Sequence, residues 1–447
     1  MFTTRRVVYL LRYKQQQRYI STTLPVLDER SGRPDFFTSF LSGEKRDPNE
    51  HSNYPYKTAK QLQNNLLPPV RTKMLVRDFI EDSLYNPNYG FRSKQSLGGH
   101  VVVDDRVGDE VISLLSKQQG VRDLKQIKYR LTEMVKPWYG HAIAKYMVSE
   151  YKLNLYPHRD LIVYEMGGGN KRLMTTILDY IQQHEPHVYK RTRYNLIEPF
   201  PNKALWKEQQ KHHCIEIIQQ DILQWNTPVL DQCFFLGIEA VNHFPHDKIR
   251  YDPKTKLPYQ AIVSIDGKGD MEELYEPMKD SVISRFLATR KKTRPVSIPS
   301  RTLYWHKILQ ILKDQDLSYP EFIPTRFFQF MQTLSTYFPR HRLVLSDYHT
   351  VPGVIEGINA PLVQAGYKGM LVPCSTYQMA PGWFDVLFPT NFEQTRELYL
   401  QVCRSNEKNV KVLRYSDFLE RYGDIEKDKK IENLTLKIHD KINILLS

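Results

Sequence analysis

Four acids stand where short apolar runs end. Leu161-Ile-Val-Tyr runs into Glu165, Arg193-Tyr-Asn-Leu-Ile into Glu198, and Cys233-Phe-Phe-Leu-Gly-Ile into Glu239, while Asp221 follows Ile215-Glu-Ile-Ile218. Directly after Glu165 come Met166, Gly167, Gly168, Gly169 and Asn170. Glycines between a strand and a helix let the backbone turn sharply and approach a ligand. Ordinary strand–helix turns also use glycine, so the cluster gains its meaning from the acids around it. Glu198 stands where a carboxylate accepts both ribose hydroxyls of a nucleoside cofactor, and Asp221 is suitably placed for an adenine amino group. The loop lacks the Gly-Lys-Ser/Thr ending of a phosphate-binding loop, and acids lining it would repel a pyrophosphate. Arg172 fills the third glycine position of the nicotinamide fingerprint. An acid before the glycines suits a cationic adenosine cofactor with an amino acid tail, S-adenosylmethionine.

These residues need a scaffold that brings strand ends together. Strands alternate with helical patterns (Leu173, Ile177, Leu178 and Ile181, then a segment around 201–212), which predicts βαβ units and a parallel, doubly wound α/β sheet. In such sheets ligands bind at the carboxyl ends of the strands. Ala261–Asp266, Arg342–Asp347, Lys368–Val372 and Trp383–Phe388 read as further strands. Ahead of this core, expected over 156–423, lies a helical N-terminal region, 71–155. From Met74 its pattern is helical, with Leu75, Phe79 and Leu84 on one face until Asn86-Pro-Asn-Tyr-Gly90 ends it. Amphipathic segments follow at about 107–118 and 126–150. The Lys-rich tail 424–447, with Ile431, Leu434, Leu436, Ile438, Ile442 and Leu445, reads as a final helix, with a membrane-surface role as the lesser alternative.

The chain of 447 residues carries 63 Lys+Arg against 50 Asp+Glu, a surplus of +13. Residues 1–27 hold no acid, and Arg5, Arg6, Arg12, Lys14 and Arg18 are interleaved with Val7, Val8, Leu10 and Leu11. An Arg-rich, acid-free, amphipathic start is the pattern of a mitochondrial presequence, expected over 1–20, ahead of a polar lead-in, 21–70. A second basic stretch runs from Arg285 to Lys313 without an acid, inside an insertion at about 285–320. With Tyr304 and Trp305 it suits RNA phosphates and bases, or else forms a solvated loop. Cys214, Cys233, Cys374 and Cys403 are too widely spaced for a CxxC zinc site or a disulfide scaffold; no metal is expected. No apolar run approaches the roughly 18 residues of a membrane-spanning helix.

Over roughly residues 72–395 the chain resembles the MidA-like family of S-adenosylmethionine-dependent methyltransferases. The resemblance is carried by Val76-Arg-Asp-Phe-Ile-Glu-Asp-Ser-Leu-Tyr-Asn-Pro-Asn-Tyr-Gly90, Glu165–Asn170, Glu239-Ala-Val-Asn-His-Phe-Pro-His246, Gly369-Met-Leu-Val-Pro-Cys-Ser-Thr-Tyr377 and Phe388-Pro-Thr390. The first and last of these look closest to a fungal-type branch. The resemblance implies a class I methyltransferase (Rossmann-like) fold, with Glu165, Gly167, Gly169, Lys171, Glu198 and Asp221 toward S-adenosylmethionine. It places Glu239 and Asn242 at the transferred methyl, and it implies a protein substrate: an arginine of a respiratory-chain or assembly subunit in the mitochondrial matrix. Two positions depart from the family pattern. Lys171 occupies the last glycine of Glu-x-Gly-x-Gly-x-Gly, where a Lys reaches the cofactor carboxylate or crowds the site. Asn-Glu-x-x-Asp-x-x-Pro here reads Ile238-Glu239-Ala-Val-Asn242-His-Phe-Pro245, leaving one carboxylate, with His243 and His246 as possible titrating neighbours. Those departures support the rival reading, a catalytically weakened assembly or RNA-binding factor on the same fold.

Overall fold

The computed structural model of the protein describes residues 53–96, 137–167, 171–200, 211–292, 317–318, 320–350, 359–367, 370–423 and 441–447. The expected presequence, most of the polar lead-in, the segment 107–118, most of the helix expected around 201–212 and most of Arg285–Lys313 lie outside these residues. The chain forms two compact units, one of residues 1–128, 259–277 and 362–386, the other of 129–258, 278–361 and 387–447. The core expected as one stretch over 156–423 is therefore discontinuous. Two of its segments cluster with the N-terminal region, and the helix that closes 71–155 belongs to the sheet unit.

That larger unit is built on seven strands: β1 (Leu161–Met166), β2 (Thr192–Ile197), β3 (Ile215–Ile218), β4 (Cys233–Ile238), β5 (His341–Tyr348), β6 (Lys411–Arg414) and β7 (Ile442–Leu446). They lie in the order β3-β2-β1-β4-β5-β7-β6. β1 to β5 run parallel; β7 is antiparallel to both β5 and β6. The chain winds outward from β1 through β2 to β3, then crosses back to β4, which creates a switch point between β1 and β4.

The strands are apolar on both faces, as buried parallel strands must be. Leu161, Val163, Phe234, Leu236 and Val344 enter one core cluster, with helices α1 (Trp138–Asn154), α2 (Lys171–His184) and α6 (Tyr415–Tyr422). Met166, Phe235, Leu343 and Leu345 enter the other, with α3 (Ser281–Arg290), α4 (Thr325–Tyr337) and α5 (Phe392–Cys403). Along α2 the buried residues Leu173, Met174, Ile177, Leu178 and Ile181 recur at helical spacing. A fully buried Phe such as Phe235 contributes roughly 1.5–3 kcal/mol.

The tail does not end in the helix expected over 424–447. Residues 424–440 lie outside the described set, and Ile442–Leu446 is a strand between β5 and β6. The reason is a two-residue alternation: Ile442, Ile444 and Leu446 face one cluster and Leu445 the other. The basic stretch is described only in its first residues, 285–292. There Arg290 forks onto Glu321 at 2.5 and 3.3 Å, donates to the Tyr251 hydroxyl at 3.0 Å and lies over the Phe286 ring. Its charge is spent inside the unit.

In the smaller unit the segment expected to turn helical from Met74 begins as a strand, Thr72–Leu75, antiparallel to Ile262–Ile265. Tyr259–Ile265 pairs in a hairpin with Met271–Pro277, and Leu362–Tyr367 pairs with Met370–Cys374. Helix Val76–Tyr85 carries Asp82, which accepts bonds from Tyr89 Oη at 2.6 Å and Asn86 Nδ2 at 3.0 Å, fastening the Asn-Pro-Asn-Tyr-Gly turn. Gly382 has φ +83°, and a Cβ there would lie 1.8 Å from the Tyr89 carbonyl oxygen, so only glycine fits. Among the described residues no helix is long and apolar enough to cross a membrane.

Candidate active site

The strand-end acids converge at the carboxyl edge of the parallel sheet. Glu165, on β1, is buried and accepts a hydrogen bond from Tyr194 Oη at 2.5 Å. Burial, reinforced by the charge of Glu198, pushes its carboxyl up to about 7 against that hydrogen bond. Glu198 follows β2, is also buried, and donates its N–H to the Ile218 carbonyl at 3.0 Å, which sets it beside the end of β3. Just beyond, Asp221 accepts from Leu223 N at 2.9 Å and so caps the single turn Ile222–Gln224. Burial raises the Asp221 pKa, opposed by that bond and by the charge of Arg326.

Gly167 follows β1 with φ +78°. A Cβ there would lie 3.4 Å from the Cβ of Ala240, so Gly167 and the turn after β4 abut. Gly168, Gly169 and Asn170 lie outside the described residues, and Lys171 opens α2.

The turn after β4 is built differently. Glu239 adopts φ +52°, rare for a residue with a side chain, and donates its N–H to the Ser346 carbonyl at 2.8 Å. Such backbone costs on the order of 1–3 kcal/mol and persists only where its surroundings hold it. Asp347, at the end of β5, does the holding. Its Oδ2 accepts the N–H groups of Val241 and Asn242 at 2.8 and 2.9 Å, and its Oδ1 accepts that of Tyr348 at 2.8 Å. Burial, with the Glu239 charge adding, pushes Asp347 up to about 7 against those bonds.

Asn242 is buried and its amide is committed at both ends. Nδ2 donates to the Tyr348 carbonyl at 3.1 Å and Oδ1 accepts from the Thr390 hydroxyl at 2.5 Å. His246 stacks on Phe388 with ring centroids 3.9 Å apart and is pushed down to about 3 by burial, so it is neutral at physiological pH.

The structure thus gathers Glu165, Gly167, Glu198 and Asp221 along β1 to β3, and Glu239 and Asn242 at the end of β4. Asp347 went unused in the sequence, although Arg342–Asp347 is one more apolar run closing on an acid. Chemically the set fits a cationic nucleoside. Three carboxyl groups on adjacent strand ends accept hydrogen bonds and attract positive charge, whereas a pyrophosphate would meet repulsion.

Residues 142–409 match the family described as "Putative S-adenosyl-L-methionine-dependent methyltransferase". The chain is 26% identical over 315 residues to the mitochondrial protein arginine methyltransferase NDUFAF7 homolog of Schizosaccharomyces pombe, covering 65% of this chain and 67% of that protein. It is 20% identical over 310 residues to the protein of the same name in Saccharomyces cerevisiae, covering 64% and 71%. Among solved structures, a superfamily member from Burkholderia thailandensis bound to S-adenosyl-homocysteine shares the fold. That likeness has a TM-score of 0.53 at 13% identity and covers 90% of this chain and 94% of the other.

Proposed function

The chain belongs to the S-adenosyl-L-methionine-dependent methyltransferase family that its residues 142–409 match, and from that premise we propose that it methylates a protein arginine in the mitochondrial matrix, on a respiratory-chain or assembly subunit. The names of the two yeast relatives support the arginine and the mitochondrion; the Arg-rich, acid-free pattern of residues 1–27 supports the matrix. The observation that carries the reading is the juxtaposition of Gly167 with Ala240, in the turn that carries the left-handed Glu239.

S-adenosylmethionine supplies a methyl on a positively charged sulfonium, ready for in-line transfer to nitrogen. Glu198 would accept the ribose hydroxyls, Asp221 would meet the adenine amino group, and the bare backbone of Gly167 would permit close approach. Glu165, which accepts from Tyr194 Oη, would offer its carboxyl to the amino acid tail of that cofactor. On the other side, Glu239 accepts N–H bonds from the planar guanidinium, orients it and stabilises the charge that grows as the nitrogen is methylated. The proton that the nitrogen then releases passes to Glu239. Asn242 positions rather than touches: its amide pins the Glu239 turn to Tyr348 and Thr390.

Glu239→Gln tests the assignment. We expect S-adenosylmethionine and its demethylated product to bind as in the parent by calorimetry. Transfer of tritiated methyl into mitochondrial protein from cells lacking this chain should fall at least ~100-fold. No binding of either compound at millimolar concentration, or undiminished transfer, would overturn it.

A further inference from the structure

We propose that the strand Met271–Pro277 is a docking edge that takes up an extended, basic segment of the protein substrate as an added strand. The inference deepens the reading of a protein arginine as the substrate and rests on it. The strand lies in the smaller unit, whereas Glu165, Glu198, Asp221 and Glu239 all belong to the larger one.

An edge strand offers a row of backbone donors and acceptors to any chain able to pair with it, so proteins keep such edges short or interrupt them. In the seven-stranded sheet the edge strands β3 and β6 have four residues each. Met271–Pro277 has seven, and among the described residues it pairs along one side only, with Tyr259–Ile265. The register runs from Ile265 opposite Met271 to Tyr259 opposite Pro277 without a bulge, and proline enters only at the last position.

The hydrogen bonds at the two ends of the hairpin fix which backbone groups this edge presents. Asp266 N–H donates to the Asp270 carbonyl at 3.0 Å, and Met278 N–H donates to the Pro258 carbonyl at 3.1 Å. Bonded positions alternate in an antiparallel pair, so Glu272, Leu274 and Glu276 turn their backbone groups toward Tyr259–Ile265. Those of Met271, Glu273 and Tyr275 point away from it. Pro277 falls in the outward set, where a nitrogen without a proton breaks no ladder bond.

The side chains select the partner. The strand carries Glu272, Glu273 and Glu276 and no Lys or Arg. Glu276 accepts from Tyr56 Oη and Gln260 Nε2, both at 2.8 Å, and Glu273 accepts from Tyr275 Oη at 2.5 Å and from Tyr377 Oη. Such bonds orient a carboxylate and favour its charged form. Antiparallel pairing with a second copy, centred on Leu274, would set Glu272 against Glu276, and like charges directly opposite destabilise a ladder. A segment bearing Lys or Arg brings the opposite charge to the same positions, and the substrate of an arginine methylation carries at least one such residue.

The test uses the full chain and a short synthetic peptide that alternates Lys and Arg with Val and Thr, beside a counterpart with Glu at every basic position. The basic peptide should bind by fluorescence anisotropy and the acidic one should not. In Glu272→Lys/Glu276→Gln its binding should weaken about fivefold at low salt. Should that variant fail to fold, Glu272→Lys alone, at an exposed position, carries the same direction. Hydrogen exchange of the Glu273 and Tyr275 amides, followed by NMR, should slow at least ~10-fold in the complex, which contact through side chains alone would not produce. No binding of the basic peptide, equal binding by the charge variants, or unprotected amides would overturn the proposal and leave the arginine reading to its own test. Self-association of the parent chain, abolished by Glu272→Lys, would overturn it in favour of a second copy. Docking as expected alongside undiminished transfer by Glu239→Gln would uphold the edge and remove the substrate-facing role of Glu239.

Discussion

The two halves of the carboxyl edge are held by different means. On the β1–β2 half, Glu165 and Glu198 sit at the ends of adjacent parallel strands, and the sheet ladder itself fixes them. On the β4 side, Glu239 leaves the ladder in a left-handed conformation and is secured by groups about 100 residues or more away, Asp347 and Ser346 on β5 and Thr390 beyond it. A ladder tolerates the loss of one side chain. A turn held by a few buried bonds does not, so the two halves should fail differently.

The largest difference is expected at Asp347. Asp347→Ala leaves the N–H groups of Val241 and Asn242 buried without acceptors, at about 1–3 kcal/mol each. We expect a loss of about 4 kcal/mol in urea unfolding, and loss of methyl transfer even at temperatures where the variant stays folded. If stability falls and transfer survives, Glu239 does not depend on that turn, and the contrast between the halves collapses.

Next in size is a pH effect on the β1–β2 half. Glu165 is raised from 4.5 to about 7 in the folded state, chiefly by burial. The folded protein therefore binds more protons than the unfolded chain across that window. The stability this contributes is full below about pH 4.5 and is lost as pH rises toward 7. Glu165→Gln should remove a dependence on the order of 3 kcal/mol between those limits, measured by urea unfolding at several pH values. Asp347 is raised by burial in the same way and keeps its own dependence, so a slope that vanishes entirely, or one that does not change, would contradict the assignment.

The contrast also explains what could be read beforehand. Glu165, Glu198 and Glu239 were legible because apolar runs closing on acids are local in sequence, and so was the doubly wound sheet they imply. The strand Ile442–Leu446 was read as helix because its apolar residues continue a spacing that also fits a helix. Only its place between β5 and β6 decides the matter. The parts Asp347 and Thr390 play are long-range: nothing near them in the chain announces that the end of β5 and the segment before α5 reach the turn after β4. The split of the core arises likewise from segments 259–277 and 362–386 returning to the N-terminal region.

The smallest effect concerns the residue that looked like a loss. The family pattern has an acid where this chain has Asn242, and the sequence alone suggested weakened chemistry. In the structure Nδ2 of Asn242 donates to the Tyr348 carbonyl at 3.1 Å, a bond a carboxylate has no proton to make. Asn242→Asp would keep an acceptor for Thr390 but set a second oxygen against a carbonyl, in a turn whose N–H groups already rest on Asp347. We expect it to cost about 2 kcal/mol in urea unfolding and to give no gain in methyl transfer. A gain of tenfold or more would mean that the missing carboxylate limits the reaction. The expected loss would mean that Asn242 is fitted to its own carbonyl and hydroxyl partners, and that Glu239 alone meets the substrate.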